Sequence, residues 1–463
     1  MTGQNSFWFA NPSTDFYTET IDQSYRIESS NLSRTPSSDG NRRTFTVSVW
    51  VKRTALGGLD IFSTGSNSYN QLSWTLRFTT DDNLYVYASL AGISNDVVIV
   101  SKAEFRDTTN WYHFVCAYDS TQGTASNRVK LYANGTQLEI DTGYTNHSYG
   151  NQNYDTSTND ASYVQRIGRF ASADANQFSG YFAEFNFIDG TALDPTSFGQ
   201  TKNGVWIPKE ITGLTYGTNG FRLTFADSSN LGDDTSGNGN DYTSSGLAST
   251  DVVPDSPTNN FSILNKADAR YGSLTEGNLK NTYATTGELI RSTFAQKSGK
   301  WYAEVNCVGS GNYNLGIFPT EGYNKDSDPN YGCQYRGATG QKVVSNVVSS
   351  YGATYGVNDI IGIAVDMDNN TVTFYKNNSS QGSISFTIDE HHAFASYIAS
   401  GASAFWNFGQ DSSFGGNETA QGNQDENGVG DFYYAPPSGY LALCSSNLDD
   451  TTLSPNQAEQ ATD

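Results

Sequence analysis

At 463 residues the chain is long enough for two or three domains. Apolar residues make up 36% and aromatics 13%, with abundant Gly, a mix that suits many short strands joined by turns. A formal net charge of -22 excludes the basic stripes of nucleic-acid binders and the cationic faces that dock on anionic membranes.

No run approaches the ~20 apolar residues that span a bilayer. The N-terminus lacks a basic n-region and an h-region, so no secretory signal is read there. Cys116, Cys307, Cys333 and Cys444 match no zinc spacing and read as buried, reduced thiols. The four histidines are His113, His147, His391 and His392. With no G-x-S-x-G, H-E-x-x-H or P-loop beside them, they read as structural.

In chain order, residues 1–20 are polar and aromatic without a period, and read as an extended arm. From 21 to 190, short strands recur at the spacing of a β-sandwich. Phe45, Val47, Val49 and Val51 alternate, and Asn134-Gly135 signals a hairpin. Five pieces carry a family likeness: FTVSVWVKR (45–53), NWYHFVCAYD (110–119), VKLYANGTQL (129–138), RIGRF (166–170) and FSGYFAEFNFIDGTALDP (178–195). Together they resemble the laminin-G-like, concanavalin A-type jelly roll. One departure is that the family's frequent acid in the closing strand is Ala183 here, leaving only Glu184.

Residues 191–259 read as a turn-rich connector, part of which packs through Trp206, Phe221 and Leu223. From 260 to 448 a second sandwich is predicted, with a Gly-rich insert at 412–431 and a polar tail at 449–463. Its plainest element is DIIGIAVDMDNNTVTFYKNN (359–378), two alternating strands around an Asx-rich turn. With GKWYAEV (299–305), NYNLGIF (312–318) and AFASYIASGASAFWNFGQ (393–410), it resembles the SPRY domain. The fold class is therefore all-β: two tandem antiparallel β-sandwiches, a jelly roll and then a SPRY-like sandwich.

Concanavalin-like folds include glycoside hydrolases, which pair two acids about 5–5.5 Å apart, usually within an E-x-D-x-x-E strand. Glu104, Glu139, Glu184 and Glu304 form no such triplet, so no enzyme is read. Asp227, Asp233, Asp234, Asn238, Asn240 and Asp241 crowd oxygens into one Gly-rich loop, and calcium is the cation such a loop would take. Similar loops recur in laminin-G-like proteins near their calcium sites. The alternative is a solvated turn without an ion, and no cofactor is otherwise required. Tyr144, Tyr149, Tyr154, Tyr323, Tyr331, Tyr335, Tyr351 and Tyr355 lie amid Asn, Gly and Ser, the composition of recognition loops.

A laminin-G-like module followed by a SPRY-like one resembles tail fibres and appendages of marine bacteriophages. That resemblance implies a non-enzymatic virion protein, assembled in the host cytoplasm and released by lysis. It further implies a homotrimer that joins other virion proteins through its N-terminal arm and binds a host-surface glycan or protein by loops. Two alternatives stay open: a polysaccharide-degrading tail enzyme, and a capsid decoration or connector protein with no receptor.

Overall fold

The strand Thr44–Arg53 shows how the sequence builds the first sandwich. Phe45, Val47, Val49 and Val51 all point into the core and are fully buried. Its neighbours are Trp111–Asp119 on one side and Ser179–Asp189 on the other, both antiparallel. Facing this sheet is a second one that contains Asp60–Gly65, Ser73–Phe78, Asn83–Ser89 and Val97–Glu104. Between them Phe45 stacks on Tyr118 at 4.8 Å and meets Trp74 edge-on at 5.2 Å. Each fully buried side chain of this size contributes about 1.5–3 kcal/mol.

The computed structural model describes residues 16–66, 72–89, 97–171, 175–283, 287–320 and 332–448. Among these the fold is all-β, as composition and strand spacing predict. Most of the arm, the polar tail, Tyr323 and Tyr331 lie outside the described residues.

The outer face of Thr44–Arg53 is also buried: Thr46, Ser48, Trp50 and Lys52 are all covered. Much of that cover comes from 191–259, the stretch that composition reads as a connector. The hairpin Gly199–Lys202 with Val205–Pro208 lays Trp206 over the sheet. Gly135, at φ +78, and Gly199 leave room for the ring, since a Cβ at either would strike it. Phe221–Leu223 pairs with Ser179–Asp189, Thr243–Ser245 with Asn31–Arg34, and Val252–Val253 with Ser24–Glu28. The stretch is thus built into the first sandwich. Turn-rich composition marks where the chain bends and does not report what those bends pair with.

The second sandwich packs an eight-stranded sheet on a six-stranded one. In its central hairpin, Ile360–Asp366 pairs with Thr371–Lys376, with Asp366 opposite Thr371 across the Asx turn. Leu441–Ala442 returns to pair with Trp301 and Tyr302, in parallel.

Buried polar groups join the two sandwiches. The Lys52 ammonium donates to Asp255 at 2.7 Å, to Asn260 at 2.7 Å and to the Phe261 carbonyl at 3.0 Å. All three of its donors are used. Arg26 reaches Asp411 at 2.8 Å and Asp251 at 3.3 Å. Tyr181 donates to the Gly277 carbonyl at 2.8 Å, and Asn278 to the Thr54 carbonyl at 3.0 Å.

Candidate functional site

The strand Asn83–Ser89 alternates cleanly. Leu84, Val86 and Ala88 are buried in the core, which turns Tyr85 and Tyr87 to the outer face of the sheet. Their ring centroids lie 6.1 Å apart. Tyr144, 37% exposed, brings a third ring to 6.3 Å from Tyr85. Its loop is held by the Tyr144 N–H on the Asp141 carbonyl at 3.3 Å and the Gly143 N–H on the Asp141 carboxylate at 2.9 Å. Arg77 lies opposite Tyr85, its guanidinium 6.0 Å from the ring. Along the next row Arg166, Ser63, Thr75 and Tyr87 stand opposite one another across four strands. Burial pushes the nearby Asp60 carboxyl up to about 6, against the pull of Arg77 and Thr75. Ser63 and Thr75 are buried, their hydroxyls on the Arg169 carbonyl and the Asp60 carboxylate, so what the face offers is flat aromatic rings for stacking beside a guanidinium.

A second cluster lies on the opposite sheet. His113 is fully buried and stacks between Trp50, at 4.7 Å, and Trp206, at 5.9 Å. Its Nε2 is 2.9 Å from Ser48 Oγ, so the pair superficially resembles a nucleophile and its base. The tautomer argues otherwise. Trp206 donates its indole N–H to His113 Nδ1 at 3.0 Å, and an indole nitrogen only donates. Nδ1 therefore accepts, Nε2 carries the proton, and His113 donates to Ser48 instead of taking its proton. Burial pushes the imidazole down to about 3, so it stays neutral. Glu19 and Glu184 line the adjoining cleft. Glu184 is held by Arg222 through two bonds of 3.0 and 3.1 Å, at a β-bulge where its φ is +48. The cleft has room for a water, not a sugar ring. The other acids are engaged elsewhere, Glu104 with Arg106, Glu139 with Lys102, and Glu304 inside the second sandwich.

The loop tyrosines divide. Tyr144 joins the tyrosine face. Tyr154, Tyr335 and Tyr355 are buried, so as recognition residues they are corrected to core. Tyr335 packs with its ring tilted at 4.7 Å from Tyr355 and 5.4 Å from Phe374. Tyr149 and Tyr351 are half-buried and pack against the two cores. The face residues Tyr85, Tyr87 and Arg77 were absent from the sequence-derived set, although the Leu-Tyr-Val-Tyr-Ala alternation places both rings on one side.

The Asx loop does not form a cage. Asp234 accepts from the N–H groups of Arg222, Ser236 and Asn240 and from the Ser236 hydroxyl, all at 2.9 Å. Asp241 accepts from the Asp234 N–H at 2.9 Å, and Asp227 from Ser229. Asn238 and Asn240 donate to carbonyls of 217–220, and Asn240 accepts from Arg34. Among the described residues no group of three or more His, Cys, Asp or Glu is placed to hold a metal. A hard cation wants six or more converging oxygens, and those of Asp227, Asp234 and Asp241 serve backbone donors instead. Replacing Asp234 with Ala should cost about 1–3 kcal/mol by orphaning those donors. Melting curves should show that loss with and without calcium, and calcium should not raise the parent's melting temperature.

Glu304 is the most enclosed acid of the second sandwich. It accepts from the N–H groups of Tyr433 and Tyr434 at 2.8 and 2.7 Å and from Asn407 at 3.2 Å. These bonds clamp the segment that follows the Gly-rich insert to the sheet. Burial nevertheless pushes its carboxyl up to about 7. The folded state then holds a proton that the unfolded chain has released, so stability should fall as pH rises from ~4.5 to ~7, by up to about 3 kcal/mol. The difference in stability between the parent and Glu304→Gln across that window measures this slope, and a flat difference would contradict it.

Residues 28–197 match the family model of the concanavalin A-like lectin/glucanases superfamily, and residues 300–411 match that of the SPRY domain. Over 157 residues the chain is 28% identical to the ATP-dependent RNA helicase DDX1 of Xenopus laevis, a match over 33% of this chain that spans only 18% of the helicase. Similar solved structures include the SPRY domain of human HERC1, at 16% identity and TM-score 0.27, covering 31% of this chain and 96% of that one. Another is the heptameric SAP-like pentraxin of Limulus polyphemus, at 19% identity and TM-score 0.28, covering 38% of this chain and 80% of that one. The two family matches fall in the order in which the two sandwiches occur, and the chain carries a concanavalin A-like domain followed by a SPRY domain.

Proposed function

We propose that this chain is a non-enzymatic recognition protein of a virion, a bacteriophage tail fibre or appendage, that holds a host-surface glycan on the face of Tyr85, Tyr87 and Tyr144. The tyrosine face carries the reading: three rings beside Arg77 on a rigid sheet. The inverted Ser48–His113 pair supports binding without cleavage. Domain order and the acidic composition support display on a particle, with the N-terminal arm as the link to other virion proteins.

With a net charge of -22, docking on an anionic envelope is opposed at long range and eased by salt. Adherence to host cells should therefore rise from dilute buffer to salt of seawater strength. Changing Tyr85 and Tyr87 together to Ala should lower adherence roughly 10- to 100-fold, since each stacking contact is worth about 1 kcal/mol or more. Equal adherence by a variant that melts like the parent would refute the site.

A further inference from the structure

Exposed sheet edges invite pairing, and natural sheets guard them with short strands, bulges and charges. Among the described residues, seven of the eight edges in the two sandwiches are guarded in this way. The four edges of the first sandwich, Thr136–Gln137, Ser148–Tyr149, Thr243–Ser245 and Val252–Val253, are two or three residues long. In the second sandwich Ser273–Thr275 is equally short. Glu288–Gln296 is bulged and carries Arg291, and Ser379–Ser385 is broken by a register shift and by Gly382 at φ +102.

The eighth edge, Val347–Ser350, is different. It pairs with Gln341–Val344 without a bulge and carries no charge. Val347 is 66% exposed and Val348 42%. Ser345 and Asn346 have φ of 45° and 69°, so the hairpin turns in two residues. Val344 and Val347 then form the closing hydrogen-bonded pair, and the bonds alternate from there. The Ser345 N–H on the Gly332 carbonyl, at 3.1 Å, fixes the same phase from the other side. Val348 and Ser350 consequently turn their N–H and C=O groups away from the sheet. No strand lies beyond them among the described residues.

We propose that two copies of this chain pair edge to edge through residues 347–350, antiparallel about a two-fold axis at Ser349. In that register Val348 stands opposite the partner's Ser350. The four outward groups of each copy are then used, in four hydrogen bonds. Val348 also lies on the face of the buried Val343, so the pairing extends the core across the axis. The occupant is a second copy because the strand is complementary to itself under a two-fold, the commonest symmetry of homo-oligomers. The contact line also carries no carboxylate, which matters for two bodies of net charge -22. The outcome is a closed pair, in place of the trimer that the resemblance implies.

A four-residue edge buries little surface, so the association is weak and concentration-dependent. Like-charged copies associate better when screened. Sedimentation equilibrium of the full chain should give a monomer–dimer equilibrium that shifts toward dimer as salt is raised. Val348→Pro removes an outward N–H and no hairpin bond, so it should weaken the dimer roughly 10- to 100-fold at an unchanged melting temperature. Ser349→Glu, at an exposed position, sets two carboxylates face to face at the axis and should act likewise. A monomer at every salt and concentration, a trimer, or a dimer that survives both substitutions would overturn the proposal.

Discussion

Replacing Asp255 with Ala should destabilise the protein by about 3–5 kcal/mol, the range found when one partner of a buried ion pair is removed. Asp255 and Lys52 are fully buried, and burial alone pushes the carboxyl up and pulls the ammonium down. Without the carboxylate, Lys52 keeps only Asn260 and the Phe261 carbonyl, and the Trp111 indole N–H loses its acceptor at 3.1 Å. Changing Lys52 to Met and Asp255 to Leu together should cost far less, because no charge is left unpaired. Denaturant titrations of the single and double variants decide this. A single variant within about 1 kcal/mol of the parent would mean that water reaches the pair.

Trp406→Ala should cost a similar amount, about 3–5 kcal/mol, through the cavity left behind. Trp406 is fully buried, stacks on Phe408 at 5.3 Å and lies 6.4 Å from Phe394. Its indole N–H donates to Ser396 at 3.3 Å, a hydroxyl that also receives Asn281 at 3.1 Å. Trp111→Ala should cost less as packing, since Trp111 is only half-buried and works mainly through Asp255. Thermal melts that rank the two variants in the opposite order would contradict this assignment.

Period-2 alternation made much of the fold legible. The hairpin of 359–378 was readable because Ile361, Ile363 and Val365 alternate with small residues and the turn is Asx chemistry, although the whole strand Ile360–Asp366 is buried. Trp50, Trp301 and Trp406 are buried as their strands predict, and Trp111 only in part. What alternation cannot report is the second layer on a sheet. Ser48 and Lys52 alternate with the core positions of their strand, yet they too are covered, by the hairpin of Trp206 and by the second sandwich. Loop composition failed for Tyr335 and Tyr355 for the same reason, since their rings fold inward across long sequence separations. In the Asx loop turn chemistry and cation chemistry draw on the same oxygens, and only their orientation tells them apart. The tyrosine face was within reach, because two tyrosines at positions 85 and 87 of one half-buried strand must share a side.

Glycan binding on the tyrosine face without cleavage can be measured in one experiment. Its most direct test passes host-surface polysaccharide over the immobilised protein and measures both retention and newly formed reducing ends. The parent should retain the polysaccharide, the variant with Tyr85 and Tyr87 changed to Ala should not, and neither should form new reducing ends. Reducing ends that appear with the parent and vanish with Glu184→Gln or Ser48→Ala would contradict it.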